Sequence, residues 1–192
     1  YVADADIICD GSVHVGFYCL NSNITAKEVI LDSMKGQIMG GSINAEIRVV
    51  AAIIGSPSEK RTYISVKGFD RNSLKKKLDE LEIKIEALKV EATKYKQQLA
   101  IFSNLYDGGK VQKEQFDAIN EKYNSLKEEL SEVEENKRNI VNYLKTKGEG
   151  EIFILKKAFP NTVLEIKRLQ KELHKPVLRV SYFYHEGTVK EI

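Results

Sequence analysis

Asn23-Ile24-Thr25-Ala26 recurs as Ser42-Ile43-Asn44-Ala45 nineteen residues later, and about twenty residues further on comes Arg61-Thr62-Tyr63-Ile64. The first two copies are each followed by another short apolar run, Val29-Ile30-Leu31 and then Val49-Val50-Ala51. A less regular earlier copy is Ile7-Ile8-Cys9 with Val13-His14-Val15. A period of nineteen to twenty residues with two short strands per turn predicts a β-solenoid, in which each coil stacks on the next. One coil cannot bury its apolar face alone, so neighbours and a cap are required. The competing reading is a small antiparallel sheet with chance similarity between its strands.

Outward from the repeat, the chain divides into three zones. Seven of the twelve glycines fall before residue 69, in a region rich in Ile and Val. A nearly glycine-free stretch from Asn72 to Lys147 follows, packed with Leu, Glu and Lys and broken only by Gly108-Gly109. From Gly148 onward β-type runs return, as in Ile152-Phe153-Ile154-Leu155 and Val177-Leu178-Arg179-Val180. The expected divisions are 1–69 for the solenoid coils, 70–147 for a helical insertion and 148–192 for strands that close the β part.

The middle zone carries a heptad seam. Leu74, Leu78, Leu81, Ile85, Leu88, Ala92, Tyr95, Leu99, Phe102 and Tyr106 follow one another in alternating steps of four and three. Beyond the glycines the pattern resumes at Phe116, Ile119, Tyr123, Leu126, Leu130, Val133, Lys137, Ile140 and Leu144. The two seams mirror each other about residue 109: Leu88 meets Leu130, Ile85 meets Val133 and Leu81 meets Lys137. Two unrelated helices have no reason to share that register, whereas an antiparallel hairpin folded at Gly108-Gly109 requires it. Arms of about 35 residues reach roughly 50 Å. Asp70 or Ser73 is placed to cap the first helix. Lys137 is the one polar seam residue, either setting register or laying its stem along Leu81 with its ammonium in solvent or on Glu134. So narrow an apolar stripe satisfies two helices without a third, so the hairpin is expected to protrude from the β part.

Several stretches resemble one known family. They are Lys35-Gly36-Gln37-Ile38-Met39-Gly40-Gly41-Ser42-Ile43-Asn44-Ala45, then Thr62-Tyr63-Ile64-Ser65-Val66-Lys67-Gly68, and, after the helical stretch, Phe159-Pro160-Asn161-Thr162-Val163. This order resembles the flagellar assembly protein A (FapA) family, of which the chain looks like the C-terminal half. The resemblance implies a right-handed β-helix interrupted by an antiparallel two-helix coiled-coil hairpin. It also implies a bacterial, cytoplasmic, non-enzymatic protein of flagellar assembly or cell-pole organisation. Family glycine pairs at coil corners are replaced by Lys27-Glu28 and Glu46-Ile47. The residues alone allow either a short helix or a strand with a polar turn from Leu164 to His174; the resemblance makes Val163-Leu164-Glu165-Ile166 a strand and Lys171 to Pro176 a connection.

Composition narrows the chemistry. The net charge is +2 over 192 residues, with 30 basic and 28 acidic side chains, which does not suit a strongly basic nucleic-acid binder. No apolar run approaches the twenty residues of a membrane span, no leader is visible, and the Tyr1 start suggests a piece of a longer protein. Cys9, Cys19 and His14 fit no zinc spacing. Buried free thiols are expected, with a Cys9–Cys19 disulfide as the alternative. Gly40-Gly41-Ser42 opens no helix and lacks the Lys-Ser/Thr ending of a phosphate loop, so it reads as a corner needing unusual backbone angles. Asp4, Asp6 and Asp10 lack the EF-hand pattern and read as a solvated acidic edge. Lys156-Lys157 and Lys167-Arg168, with Phe153 and Phe159, are the candidate phosphate contacts.

The reading is therefore a structural or interaction protein, with a rigid solenoid base and the hairpin as an arm for partner binding. No catalytic, cofactor or metal residues are assigned. The candidate partner-binding site is the hairpin tip, Tyr106, Asp107, Gly108, Gly109 and Lys110. Expected partners are proteins, a second copy among them, with no nucleic acid and no membrane insertion. The location implied is cytoplasmic, at the cell pole. A periplasmic efflux or secretion adaptor is the first alternative, but lipoyl-like half motifs flanking the hairpin are not visible. A left-handed β-helix acyltransferase is the second, and it would need hexapeptide repeats.

Overall fold

The computed structural model describes residues 1–31, 34–105 and 110–192. The fold is mainly β, with two long helices. Two compact units emerge, one built from Tyr1–Arg71 with Lys145–Ile192 and the other from Asn72–Leu144.

The first unit is one sheet system of eleven strands among the described residues. In chain order these are β1 (Val2–Ala3), β2 (Asp6–Ile8), β3 (Ser12–Val15), β4 (Tyr18–Leu31), β5 (Gln37–Ile54) and β6 (Thr62–Val66). After the helices come β7 (Glu151–Ala158), β8 (Thr162–Ile166), β9 (Leu169–Leu173), β10 (Val177–His185) and β11 (Thr188–Glu191). Pairing from β1 through β8 is parallel, and like residues stack on like. One inward column runs Ile7, Ile24, Ile43, Ile64 and Leu164. A second runs Val13, Val29, Val49 and Ile152, and a third runs Val2, Cys19 and Ile38. Each buried Ile or Val contributes roughly 1.5–3 kcal/mol of transfer free energy, which is what the repeat in the sequence secures.

The first two copies stack as expected, with Asn23 on Ser42 and Ala26 on Ala45. The third is displaced by two residues. Ser42 lies beside Tyr63 and Ile43 beside Ile64, so the copy is Tyr63-Ile64-Ser65-Val66. A shift of two keeps every side chain on its own face of the strand, so the apolar pattern survives it. The surplus residues sit in the Ser56–Arg61 loop before β6. At the Glu46-Ile47 corner one extra residue is also absorbed: Ala26 pairs with Ala45, but Glu28 pairs with Arg48. Ile47 is buried there.

Two antiparallel hairpins finish the sheet. β9 folds back on β8, while β10 runs against β7 and β11 against β10. Leu164–His174 is thus strand, turn and strand. No helix forms, and Lys171 to Leu173 belongs to β9 rather than to a connection. Lys167 and Arg168 take positive φ of 49° and 69°, closing the tight two-residue turn.

The second unit holds helices α1 (Arg71–Leu105) and α2 (Lys110–Leu144), each of 35 residues. α1 begins at Arg71, which leaves Asp70 at the N-cap position. Described seam residues from Leu74 to Phe102 and from Phe116 to Leu144 are buried or half-buried, and most residues between them are exposed. Ile85, Leu88, Leu126 and Val133 form the buried cluster, with Leu81, Tyr95 and Leu130 packed on it. Lys84 reaches Glu129 at 2.8 Å on one flank, and Lys89 reaches Glu134 at 3.4 Å on the other. Lys137 pairs with Glu82 of the opposite helix at 2.8 Å rather than with Glu134, which Lys89 already holds. Each such half-exposed pair contributes about 0.2–1 kcal/mol. No helix among the described residues is long and apolar enough to cross a membrane.

Candidate functional site

The expected tip site falls where least is described. Tyr106, Asp107, Gly108 and Gly109 lie outside the described residues, and Lys110 is the first residue of α2.

The β unit instead brings together three polar clusters. The outward face of β6 and β8 holds the first. Glu165 accepts hydrogen bonds from Tyr63 Oη at 2.5 Å, Ser65 Oγ at 3.2 Å and Gln170 Nε2 at 2.6 Å. The Tyr63 hydroxyl, more than the other donors, holds the Glu165 carboxyl below its usual range. Burial and the adjacent carboxylate push the Tyr63 phenol up. Three donors thus anchor the Glu165 carboxylate across β6, β8 and β9.

A polar column at the start of the second inward face forms the next cluster. Ser12, Glu28, Arg48 and Glu151 occupy successive passes in register. Glu28 is only 6% exposed. Its carboxylate accepts from Ser12 Oγ at 2.8 Å and pairs with Arg48 Nε at 2.7 Å. Glu151 accepts from buried Ser181 Oγ at 2.5 Å and from the Lys147 amide at 3.3 Å. This column is visible in the sequence in retrospect, because each polar residue precedes the apolar residue of its coil: Ser12-Val13, Glu28-Val29, Arg48-Val49, Glu151-Ile152.

At the closing end, the third cluster joins β9 to β11. Lys171 Nζ meets Glu191 at 2.5 Å and lies 4.7 Å over the ring of buried Tyr182. The Glu191 carboxylate raises the Lys171 pKa, and burial raises that of Tyr182. Lys171 and Tyr182 line a pocket of about 330 Å³ together with Leu164, Ile166 and Leu169. A charged pair at this end discourages a further strand from stacking, the usual protection of a sheet edge.

The chain's exit and return are also held in the β unit. The amides of Lys67 and Gly68 still donate to Ala45 and Glu46 of the previous pass. Phe69 N then meets Glu149 O at 2.9 Å. Arg71 Nη1 donates to the carbonyls of Thr146 at 3.0 Å and Gly148 at 2.6 Å.

Other singled-out residues have intramolecular roles. Asp4 and Asp6 accept from Asn21 and Asn23 of the next pass, at 3.1 and 2.7 Å. Among the described residues no three His, Cys, Asp or Glu converge as metal ligands. Lys157 lies 4.3 Å over the Phe159 ring; Lys167 pairs with Glu149 and lies 4.6 Å over Tyr184. These ammonium groups are engaged within the fold rather than gathered on one basic surface. Gly40 and Gly41 have positive φ of 68° and 81°, as the corner reading requires.

Cys9 and Cys19 are free thiols, not a disulfide. Cys19 is fully buried, and burial pushes its pKa up, while Cys9 is half-buried. Brief alkylation of the native chain is therefore expected to label Cys9 and spare Cys19, with both labelled in denaturant. Equal labelling of both thiols under native conditions would contradict the packing of the third column.

The family model described as the Flagellar Assembly Protein A beta solenoid domain matches residues 1–189. No curated protein and no solved structure matches. With stacked parallel passes over nearly its whole β part and a match spanning 189 residues, the chain belongs to the Flagellar Assembly Protein A β-solenoid domain family.

Proposed function

We propose that this chain is a non-enzymatic structural and interaction protein of bacterial flagellar assembly or cell-pole organisation, working in the cytoplasm. The family match over residues 1–189 is the observation that carries the reading. The base is a right-handed β-helix, a reading supported by the parallel ladders of Ile and Val. The arm is an antiparallel coiled-coil hairpin, supported by the alternating seam and by the flanking pairs Lys84–Glu129 and Lys89–Glu134. The mechanism is shape and display: a stiff base of stacked passes holds a helical arm whose surface proteins recognise. The polar clusters of the β unit fit this role, since their charged groups pair with one another along the stack, as Glu28 does with Arg48 and Lys171 with Glu191.

The test is affinity capture from the native cell with the full protein and with residues 75–143 replaced by a short linker. Loss of specific partners, together with impaired flagellation, is expected on deletion. An unchanged partner set would move the function to the β base.

A further inference from the structure

Two hairpins finish the β unit, β8 with β9 and β10 with β11, and they lie at opposite ends of the strand order. Among the described residues no ladder of backbone hydrogen bonds joins one hairpin to the other. The chain links them at one end, through residues 174–176 between β9 and β10. Elsewhere side chains join them. Lys167, in the β8–β9 turn, lies 4.6 Å over the ring of Tyr184, and Lys171, on β9, lies 4.7 Å over the ring of Tyr182. The two tyrosines stand two residues apart, on one face of β10. Each ammonium also has a carboxylate from a further segment. Lys167 pairs with Glu149, which precedes β7, and Lys171 pairs with Glu191, on β11, at 2.5 Å. Neither hairpin is held by much burial of its outer strand. In β9 only Leu173 is buried, and in β11 only Val189 is even half-buried. Both turns also carry non-glycine residues at positive φ, Lys167 and Arg168 in one and Glu186 in the other, which strains each hairpin.

We propose that Lys167 and Lys171 form a two-point strap, so that the two terminal hairpins open and close as one cap over the end of the stack. A lysine seated on a tyrosine gains from the negative face of the ring and from laying its stem along it. A carboxylate on the far side then fixes the ammonium in place. Two such seats, one at the turn and one in the strand, resist rotation about the link at 174–176, where a single seat would act as a pivot. Beneath the strap lie the last residues of the inward columns: Leu164, Ile166 and Tyr182 line the pocket there with Leu169 and Val189. Opening of one hairpin takes the lysines from their rings or the rings from their lysines, so loss of either side of the strap releases both. The open state uncovers apolar core and the edges of β8 and β10, surfaces that the end of a stack must keep from pairing with other chains. The strap makes this end a closure that can be released, not a fixed last strand.

The experiment is native-state hydrogen exchange of the full chain, read in peptides covering β9 and β11. Lys171→Met removes the ammonium and keeps a stem of similar length. It should speed exchange in β11, the strand to which it does not belong, as well as in β9, by roughly three- to tenfold. Glu191→Gln should speed exchange in β9 in the same way. Lys167→Met combined with Lys171→Met should leave β9 and β11 with one common, lower protection. Lys171→Arg keeps the charge and the ring contact, and should leave both strands as protected as before. Exchange in β4 and β5 should stay unchanged throughout. An effect of Lys171→Met confined to β9, or of Glu191→Gln confined to β11, overturns the strap, because each hairpin would then fray alone. Unchanged protection in the double lysine variant overturns it as well. So does a loss of protection in β4 and β5 together with the hairpins, since the cap would then not open separately from the stack.

Discussion

Leu88→Asp is expected to abolish most of the helical circular dichroism while the β unit continues to unfold at its original midpoint. Leu88 sits in the buried cluster of the hairpin with Ile85, Leu126 and Val133. Removing its side chain alone costs roughly 2–5 kcal/mol. Aspartate adds an ionised group to the stripe, where Lys84, Lys89 and the seam residue Lys137 are already directed to Glu129, Glu134 and Glu82. Two 35-residue helices joined only by such a narrow stripe have no third layer to compensate. The arm therefore melts along its length, while the Ile and Val columns, in the other compact unit, stay buried. The measurement is far-ultraviolet circular dichroism together with hydrogen exchange of β4 and β5 peptides. Retention of full helicity would mean the stripe is not what holds the helices. Loss of protection in β4 and β5 would mean the two units fold as one.

The difference between what the residues announce and what they conceal follows from how local each signal is. A heptad stripe is written in neighbouring turns, so every described seam position from Leu74 to Phe102 was legible without knowledge of any partner. The first solenoid coils were legible for a related reason: Ile24 and Ile43 are close in sequence and equivalent in environment. Tyr63 escaped by two residues, because a strand shifted by two keeps its faces and so leaves the apolar pattern unchanged. β9 was obscured by its own composition. Leu169-Gln170-Lys171-Glu172-Leu173 is a strand with one face on the closing pocket and the other in water, and its charges read as a turn. The polar clusters were hidden by topology. The helical insertion puts 102 positions between Tyr63 and Glu165, yet they lie on adjacent strands. The expected tip site, Tyr106 to Gly109 with Lys110, falls outside the described residues but for Lys110, the first residue of α2.

Gly41→Ala is expected to lower the melting temperature of the β unit by about 15 °C, equivalent to roughly 3–5 kcal/mol for a unit of this size. Two costs combine. Gly41 has φ +81°, where an L side chain costs roughly 1–2 kcal/mol. A Cβ there would also stand 2.3 Å from the Ser22 carbonyl oxygen and 2.6 Å from the Ser22 amide nitrogen. Both are backbone atoms that cannot rotate away. Ser22 cannot easily yield, because it is fully buried and joins three passes of the chain. Its hydroxyl accepts from the Ala5 amide at 3.2 Å and donates to the Leu20 carbonyl at 2.7 Å, and its backbone is in register with Gly41 itself. Pushing Ser22 aside therefore opens the corner on both sides. Gly187→Ala separates the two costs. Gly187 has nearly the same φ, +82°, but a Cβ there meets nothing within 4 Å. It should lose only about 1–2 kcal/mol, the strain alone. Equal losses at the two sites would mean that backbone conformation, and not the closeness of stacked passes, is what glycine supplies at the corner. A larger loss at Gly41, with hydrogen exchange accelerated in β4 and β5 but not in β10 and β11, is the outcome that stacking predicts.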